Sequence, residues 1–517
     1  MPRKRCHLRS YLFVETLVLA AIAAACSSGG APPRGVLVDL GDKPSFEWGE
    51  CEFDVPVGAT VNCGYLTVPE DRSQPERRKI RLHVGVFRTS AADKAGDPIL
   101  YLGGGPGENS TESSSYFYDE YIEPFLKNRD FIVLDQRGTG YSKPHLDCPE
   151  LEEMYRDTLD DDLTLEESRA KGLEAVTRCH DRLVGSEGVN LPSYRSAESA
   201  ADVNDLRLAL GYEQWNIYGV SYGTRLGLTV MRDFPQGVRS VVLDSSYPLQ
   251  ANLYTGIPPN ARRALDVFFN GCAADPGCNA SYPYLREVFF QTIDDLNANP
   301  VVETIVNPLT GYRYESVVVD GDALLNIVFH SLYSTYVIPM LPRLIYDVAN
   351  GDTLLMGQIM GGFLAELEEL FSPGMHMSVQ CSDEVAFTNI DEVAAAMAPY
   401  PELRALTEGD SFSGQGVFPV CQSWGGAAPD PKENAPVTSD VPTLVLAGEY
   451  DPITPPAWGQ QVADTLSRRF FYVFPGVGHG AATAHECPTG IMHAFVNNPA
   501  VEPDTSCLSG MGGPAWE

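Results

Sequence analysis

The chain has 517 residues, of which 44% are hydrophobic, and its formal net charge is −33. This hydrophobic content is ample for a large buried core, and the length exceeds the needs of one ordinary domain. The negative charge disfavours nucleic acid and anionic membrane surfaces as partners, because both would repel the chain, and it favours cationic peptides. An acidic run over residues 157–167 predicts a solvated face or loop.

Residues 1–25 have the pattern of a secretion signal peptide. Basic residues precede an apolar run over residues 17–25, which is too short to form a stable membrane-spanning helix. Cys26 then resembles the lipidated first residue of a bacterial lipoprotein, with residues 26–45 as a tether or linker. Ala23 departs from that pattern, so ordinary cleavage to a secreted, soluble product stays open. We therefore expect an exported protein that contacts a membrane only through a lipid on Cys26.

A glycine-rich loop follows the strand predicted over residues 98–102. Its sequence is Gly103-Gly104-Gly105-Pro106-Gly107. A loop without side chains lets backbone N–H groups approach a carbonyl oxygen that becomes negative during nucleophilic attack. We predict Gly105 and Tyr222 as the donors of such an oxyanion hole, with Gly104 as the alternative. A phosphate-binding loop is disfavoured, because neither a G-K-[ST] ending nor a G-x-G-x-x-G at a helix start is present.

The pentapeptide Gly219-Val220-Ser221-Tyr222-Gly223 carries the most specific signal in the chain. Residues 215–218 predict a strand before it, and residues 224–234 predict a helix after it. A strand, a tight glycine turn and a helix N-terminus would present Ser221 as a nucleophile. An ordinary surface serine in a glycine-rich turn is the alternative.

A serine nucleophile needs a base, and the base needs an acid that orients it. Asp451 lies in the loop after a buried parallel strand predicted over residues 442–447. His479 follows the next predicted strand, residues 470–474, among small neighbours that would leave its imidazole exposed and mobile. We predict His479 as the base and Asp451 as its acid, in the chain order Ser, Asp, His. Asp244 also ends a predicted strand and is the rival acid, unless it has a structural turn role.

Metal chemistry has weak support in this sequence. His485 lies near His479, but the pair lacks a ligand spacing such as H-E-x-x-H. Zinc is further disfavoured because no C-x2-C pair occurs. We expect neither a metal nor a cofactor.

The alternation of strands and helices breaks after residues 247–248 and resumes near residue 437. Apolar residues at three- and four-residue spacing predict helices over residues 323–333, 338–348 and 353–371. We interpret residues 251–435 as a mainly helical cap over the active site, and we refer to this segment as the cap. Substrate specificity is expected to depend on it, because caps in this position shape the pocket.

Ten of the 12 cysteines remain once Cys6 and Cys26 are set aside. An even number in an exported chain suggests disulfides. Their grouping in the sequence favours pairing between neighbours: Cys51 with Cys63, Cys148 with Cys179, Cys272 with Cys278, Cys381 with Cys421, and Cys487 with Cys507.

Together these motifs resemble the secreted tripeptidyl aminopeptidase and proline iminopeptidase-like α/β-hydrolases. The segments that carry the resemblance are residues 103–107, Asp135-Gln136-Arg137-Gly138-Thr139-Gly140-Tyr141-Ser142, residues 219–225, and the loops of Asp451 and His479. One departure is Gly103, because the family motif usually has a histidine at that position. The resemblance covers residues 46–247 and 437–507.

The resemblance implies an α/β-hydrolase fold, in which helices cover both faces of a mostly parallel sheet. The two parts of this core would be residues 46–250 and residues 436–517, the second with a C-terminal tail, and the cap would be inserted between them. The resemblance also implies an exopeptidase that releases short peptides or single residues from free N-termini. Peptides are therefore the expected substrates.

An aminopeptidase must bind a protonated α-amine, for which a carboxylate is a natural partner. Asp383 and Glu384 are candidates for this role at the pocket mouth, partly because their segment resembles the tripeptidyl aminopeptidases. Solvated acids at a helix start are the alternative for this pair. Glu108, beside the glycine-rich loop, is a further candidate.

The predicted mechanism is acyl transfer, in which Ser221 attacks a carbonyl, His479 takes and returns the proton, and Asp451 orients His479. Water then hydrolyses the acyl-enzyme. A carboxylesterase with the same three residues is the main alternative. A surface binding protein that has lost catalysis on the same scaffold is a second alternative.

Overall fold

The fold is described from a computed structural model, which describes residues 44–408, 412 and 414–517. The predicted signal peptide, Cys26 and nearly all of the predicted tether lie outside the described residues. Within the described part of the chain, every helix is too short or too polar to cross a membrane.

Nine strands of the described chain form one mixed sheet, and two more form a separate hairpin. The strands are β1 (Ser45–Gly49), β2 (Val61–Pro69), β3 (Lys79–Phe87), β4 (Ile99–Leu102), β5 (Phe131–Leu134), β6 (Trp215–Val220), β7 (Val238–Asp244), β8 (Val301–Val306), β9 (Arg313–Val319), β10 (Thr443–Gly448) and β11 (Arg469–Phe474). The order in the large sheet is β1-β2-β3-β5-β4-β6-β7-β10-β11. Pairing is antiparallel from β1 to β5 and parallel from β5 to β11.

The described helices are α1 (Ser110–Tyr116), α2 (Pro149–Thr158), α3 (Leu165–His180), α4 (Ser196–Leu210), α5 (Tyr222–Asp233), α6 (Leu253–Ala274), α7 (Pro276–Ser281), α8 (Leu285–Ala298), α9 (Gly321–Ser331), α10 (Leu341–Ala349), α11 (Leu354–Glu369), α12 (Pro373–Asp383), α13 (Ile390–Met397), α14 (Ala405–Glu408), α15 (Val417–Trp424), α16 (Pro456–Thr465) and α17 (Glu486–Asn497). Apolar clusters lie on the two faces of the large sheet, and another lies within the cap. The sequence folds into the expected α/β-hydrolase architecture.

The central strands explain where the functional loops meet. β6 and β10 are buried along their whole length, as expected for parallel strands covered by helices on both faces. Asp244 at the end of β7 is in register with Val220 of β6 and with Leu446 of β10. Because the carboxyl ends of parallel strands share one edge of the sheet, the loops after β6, β7 and β10 lie side by side.

Helix boundaries follow local capping chemistry. α3 begins with a capping box, in which Thr164 and Glu167 satisfy each other's backbone N–H groups. α4 ends at Gly211, whose φ of 79° is the left-handed conformation that favours glycine. The Asp320 side chain accepts the N–H of Ala323 at 2.8 Å and so begins α9.

The cap contains helices α6 to α15 and one strand hairpin. The three helices predicted within it are confirmed as α9, α10 and α11, with ends shifted by a few residues. The hairpin of β8 and β9 was not predicted. Each of its strands pairs only with the other among the described strands, and exposed residues interrupt the buried ones in both, so neither has the continuous apolar run of a fully buried strand.

All five predicted disulfides are present. The bonded pairs are Cys51–Cys63, Cys148–Cys179, Cys272–Cys278, Cys381–Cys421 and Cys487–Cys507. Disulfides of this number persist in oxidising compartments, which indicates an exported protein.

Candidate active site

Ser221 lies at the sharp turn between β6 and α5. Its φ of 56° and ψ of −125° fall in a region that residues other than glycine rarely adopt. A Cβ on Gly219 would lie 2.4 Å from the carbonyl oxygen of Gly223. A Cβ on Gly223 would lie 1.9 Å from the carbonyl oxygen of Leu102, so glycine is required on both sides of the serine. This turn is the strained strand-to-helix geometry that presents a nucleophile. Ser221 lines a cavity of about 890 Å³, which we call the central cavity.

Asp451 and His479 form a hydrogen-bonded pair at the same cavity. His479 Nδ1 lies 2.9 Å from Asp451 Oδ2, and His479 lines the central cavity together with Ser221. Asp451 is fully buried, and its Oδ1 accepts the N–H groups of Ile453 at 3.0 Å and Thr454 at 2.9 Å. The Thr454 hydroxyl donates to Oδ2 at 2.8 Å. The carboxylate is therefore fixed, and when Nδ1 donates to it, Nε2 is the imidazole nitrogen left for proton transfer.

The electrostatics of this pair suit a base. Burial is the largest influence on the pKa of His479 and lowers it, but the charge of Asp451, the hydrogen bond to it and the charge of Asp244 together raise that pKa above its ordinary value. Burial raises the pKa of Asp451, whereas His479 and the hydrogen bonds from Thr454 outweigh it and lower that pKa. A carboxylate that stays ionised stabilises the imidazolium that forms when the base accepts a proton.

Asp244, the rival acid, contacts the backbone of the His479 loop. Its two carboxylate oxygens accept the N–H groups of Ala481 at 2.7 Å and Ala482 at 2.8 Å. Complete burial raises the pKa of Asp244 to about 6. The structure thus brings Asp451 into hydrogen-bond contact with the imidazole and uses Asp244 to hold the loop.

The small residue before His479 allows close contact between the His479 loop and the cap. A Cβ on Gly478 would lie 2.5 Å from the carbonyl oxygen of Tyr333 in the cap. The N–H of His479 donates to that same carbonyl at 2.8 Å. Gly478 therefore admits close contact between this backbone and the cap, and the mobility of the imidazole itself stays a prediction.

The glycine-rich loop after β4 distinguishes the two candidate glycine donors. The N–H of Gly104 donates to Glu108 Oε2 at 2.8 Å, so it is already engaged. Gly104 and Gly105 both line the central cavity, and Gly105 has a φ of 97°. Tyr222 is the first residue of α5, directly after the nucleophile turn. This arrangement favours the predicted pair Gly105 and Tyr222 over Gly104.

The departure at Gly103 also has a structural explanation. A Cβ on Gly103 would lie 2.3 Å from Ser110 Oγ and 2.8 Å from the carboxyl carbon of Glu108. Ser110 donates to Glu108 Oε1 at 3.1 Å, and the hydroxyl of Tyr101 donates to Oε2 at 3.3 Å. The Glu108 side chain therefore occupies the space that a side chain at position 103 would need.

Asp383 and Glu384 are not placed at the pocket mouth. Both are almost completely buried, and neither is among the described residues that line the central cavity. Asp383 Oδ2 accepts the N–H of Ser196 at 2.9 Å. Glu384 Oε1 lies 2.8 Å from Arg225, and its Oε2 accepts the N–H of Leu253 at 2.9 Å. The expectation of amine-binding side chains at the pocket mouth is therefore corrected, because these carboxylates join the cap to the core.

Acidic side chains nevertheless line the central cavity. Its carboxylates are those of Glu108, Asp161, Asp162, Asp320 and Asp322. Among the described residues that line the cavity, neither lysine nor arginine occurs. Asp161 and Asp162 belong to the acidic run that was predicted to be a solvated face or loop, and both are exposed in a loop as predicted. The sequence offers no local signal for their placement, because only tertiary contacts bring the loop between α2 and α3 to the cavity.

Aromatic rings form much of the cap side of the cavity. The ring-bearing residues there are Tyr254, Phe329, His330, Tyr333, Phe363, Phe371, His376 and Phe412. His376 Nδ1 lies 3.1 Å from the carbonyl oxygen of Pro106, and burial lowers the pKa of His376 to about 4. This histidine is therefore neutral near pH 7 and bonds the cap to the glycine-rich loop. Sequence patterns missed these residues and also Thr454, although its position three residues after Asp451 is a usable signal.

A potential metal site in the described residues is already occupied by a covalent bond. Cys148, Glu150 and Cys179 lie close enough together to share an ion. The two sulfurs form a disulfide and are not thiolate ligands.

Two family models match the chain. One, described as alpha/beta hydrolase fold, matches residues 97–291, and the other, described as TAP-like protein, matches residues 410–507. The first contains Ser221, and the second contains Asp451 and His479. The fold, the serine turn and these matches show that the chain is a serine hydrolase of the α/β-hydrolase family.

Three curated proteins give the match more detail. Serine protease Hip1 of Mycobacterium tuberculosis is 26% identical over 471 residues, which cover 84% of this chain and 85% of that protein. Tripeptidyl aminopeptidase of Streptomyces lividans is 30% identical over 216 residues, which cover 39% of this chain and 38% of that protein. Carboxylesterase B of Mycobacterium tuberculosis is 25% identical over 483 residues and covers 88% of each chain.

Proposed function

We propose that this protein is an exported serine exopeptidase that releases short peptides or single residues from free N-termini. The observation that carries its chemistry is the Asp451–His479 pair, with a 2.9 Å contact, in the cavity that Ser221 also lines. Two of the relatives are named serine protease and tripeptidyl aminopeptidase, which supports a peptidase.

In this mechanism, Ser221 Oγ attacks the scissile carbonyl while His479 Nε2 takes its proton. The N–H groups of Gly105 and Tyr222 stabilise the negative charge on the carbonyl oxygen. His479 then returns the proton to the leaving amine, which departs and leaves an acyl-enzyme. Water, deprotonated by the same imidazole, releases the N-terminal fragment and restores Ser221. Asp451 stays ionised throughout and holds the imidazole.

The charge of the cavity supports recognition of a free α-amine. Five carboxylates line it, and neither lysine nor arginine does so among the described residues. A protonated amine would gain charge-assisted hydrogen bonds there, whereas a substrate carboxylate would be repelled. Glu108 is the best candidate partner, because it lies between the glycine-rich loop and the cavity.

A substrate panel tests this proposal. The substrates are aminoacyl, prolyl, dipeptidyl and tripeptidyl chromogenic amides, each with a free and an acetylated N-terminus, beside short acyl esters. We expect cleavage of amides with free N-termini, loss of that activity on acetylation, and no activity in Ser221→Ala. Equal cleavage of free and acetylated amides would contradict the exopeptidase.

A carboxylesterase is the second candidate function. The observation that favours it is the aromatic cap side of the cavity, which would accept an apolar acyl group, and one relative is named a carboxylesterase. Ester turnover without amide turnover in the same panel would establish this alternative.

We also propose that Cys26 is the lipidated N-terminus of the mature protein. The support is the sequence pattern around it and the export indicated by five disulfides. The intact mass of the mature protein, with Cys26→Ala as control, measures this directly. An unlipidated mature chain in the culture medium would contradict the anchor.

A further inference from the structure

The loop that carries His479 is held from the core by three consecutive backbone bonds. The N–H of residue 480 donates to Ser245 Oγ at 2.9 Å. The N–H groups of residues 481 and 482 donate to the carboxylate of Asp244 at 2.7 Å and 2.8 Å. The core side of the loop is thus fixed by two residues that directly follow or end β7.

The two preceding N–H groups turn the other way and donate to the cap. Gly478 N–H donates to Thr335 Oγ1 at 3.1 Å, and His479 N–H donates to the carbonyl oxygen of Tyr333 at 2.8 Å. Every backbone N–H from residue 478 to residue 482 is therefore engaged. The cap supplies the acceptors on the side where the histidine itself stands.

The cap also contacts the imidazole. The ring of Tyr333 lies 4.9 Å from the ring of His479, centroid to centroid, at an interplanar angle of 51°. Asp451 holds the same imidazole through Nδ1 at 2.9 Å. The ring is therefore held between a core carboxylate and a cap aromatic residue, while its backbone is bonded to both regions.

We propose that Thr335 is a positioning residue for the general base. Its hydroxyl oxygen accepts the N–H of Gly478 and so fixes the peptide one residue before the His479 peptide, which is itself bonded to the Tyr333 carbonyl oxygen. This inference rests on the proposed role of His479 as the base. Thr335 does not line the central cavity among the described residues, so it acts through the His479 loop and not on the substrate.

The physical reason is the short range of proton transfer. A base must lie within hydrogen-bond distance of the proton that it takes, and a displacement of about 1 Å can cost about 100-fold in rate. The turn of residues 332–335 directly follows α9, whose Asn326 and Phe329 line the cavity. The helix that contacts the substrate space thus leads directly into the turn that positions the base.

Three single variants test this role. Thr335→Val keeps the side-chain shape and removes the acceptor of the Gly478 N–H, whereas Thr335→Ser keeps that acceptor. Ser334→Ala is the matched control, because it removes a neighbouring hydroxyl that makes no hydrogen bond within the described part of the chain. The measurements are kcat, KM, the pH profile of kcat/KM, and the rate of covalent labelling by a fluorophosphonate.

We expect Thr335→Val to lower kcat by about 10- to 100-fold, with KM unchanged and with an altered acidic limb of the pH profile. Fluorophosphonate labelling should slow in parallel, since it needs the same base but no substrate recognition. Thr335→Ser should restore both rates, and Ser334→Ala should match the wild type. A folded Thr335→Val protein with wild-type kcat and pH profile would overturn the inference, as would equal losses in all three variants.

Gly478→Ala tests the same contact from the other side and covers the case in which Thr335→Val does not fold. Its Cβ cannot lie 2.5 Å from the Tyr333 carbonyl oxygen, so the cap and the loop must separate. We expect the same loss of kcat in a protein whose thermal unfolding shows that it is folded. His479→Gln separates the role of His479 as the base from the positioning role of Thr335. If His479→Gln keeps full labelling, His479 is not the base. If His479→Gln is inactive and Gly478→Ala is fully active, only the positioning role is refuted.

Discussion

Two buried pairs in this protein each join a carboxylate to a basic side chain, and they differ in their access to the central cavity. Asp451 lies 2.9 Å from His479, and Glu384 lies 2.8 Å from Arg225. Both carboxylates are almost completely buried. The imidazole of the first pair lines the central cavity, whereas neither Glu384 nor Arg225 does so among the described residues.

The difference lies in the cation and in its access to the cavity. A guanidinium keeps its proton at all accessible pH values, so Arg225 cannot exchange a proton with a reacting group. An imidazole exchanges its proton near neutral pH, and its second nitrogen is available. Arg225 also donates to the carbonyl oxygens of Asp383 at 2.8 Å and Glu433 at 3.2 Å, which ties helix α5 to the end of α12 and to the C-terminal end of the cap. The Asp451–His479 pair is suited to proton transfer, and the Glu384–Arg225 pair is suited to holding the cap against the core.

The largest expected effect tests the first pair. Asp451→Asn should lower kcat by about 10⁴-fold, because the amide no longer stabilises the imidazolium or selects its tautomer. Asp244→Asn is the matched comparison, and it should cost at least tenfold less, since Asp244 acts through the backbone bonds of the loop and the field of its charge, without a hydrogen bond to the imidazole. Steady-state kinetics on one substrate measures both variants. A greater loss in Asp244→Asn would make Asp244 the orienting acid.

The second expected effect tests the other pair through stability. Glu384→Gln should lower the free energy of unfolding by about 3–5 kcal/mol, because it leaves the buried Arg225 charge without its carboxylate. The protein that remains folded should keep its activity. Glu315→Gln, which removes an exposed partner of Arg313, should change the free energy by about 0.5 kcal/mol or less. Chemical denaturation measures all three proteins, and equal stability of the two variants would contradict a structural role for Glu384.

A smaller effect concerns Glu108, one of the carboxylates that line the central cavity. Glu108→Gln should raise KM for substrates with a free N-terminus by about 10- to 100-fold, as expected for loss of a charge-assisted hydrogen bond. The amide oxygen of glutamine can still accept the Gly104 N–H, so turnover of short acyl esters should stay near the wild-type rate. An equal loss on both substrates would mean that Glu108 supports only the glycine-rich loop.

The smallest effect is a shift of the pH profile. The pKa of His479 is raised above its ordinary value of 6.5 by Asp451 and Asp244 against the effect of burial. Since the base must be neutral, kcat/KM should fall as the pH drops through this raised pKa, and the acidic limb should lie above pH 6.5. In Asp451→Asn, the limb of the residual activity should move to lower pH. A wild-type limb below 6.5 would contradict the raised pKa.

Much of the fold and of the site could be predicted from local sequence. The Ser221 turn needs glycine at positions 219 and 223, so a pattern of five residues is enough to predict it. Strand ends also leave marks, and for this reason the loops of Asp451 and His479 were found. The disulfides paired with their neighbours, because short sequence separations keep partner cysteines close.

The surroundings of individual side chains could not be predicted from local sequence. Asp383 and Glu384 were expected at a pocket mouth, but Ser196 and Arg225, more than 150 residues away in sequence, hold them in the interior. The acidic run is exposed as predicted, but no local pattern indicated that Asp161 and Asp162 would also line the cavity.

The sequence by itself determined the nucleophile turn, the strand-end loops, the predicted cap helices and the disulfide pairs, because each depends on backbone geometry within a few residues. Only the tertiary structure decided that Asp451 and not Asp244 contacts His479, that the carboxylates of Asp383 and Glu384 face Ser196 and Arg225, and that the cap holds the His479 loop. Those outcomes depend on which distant segments meet and on where their side chains point. The order of residues along the chain does not encode either of these in a local pattern.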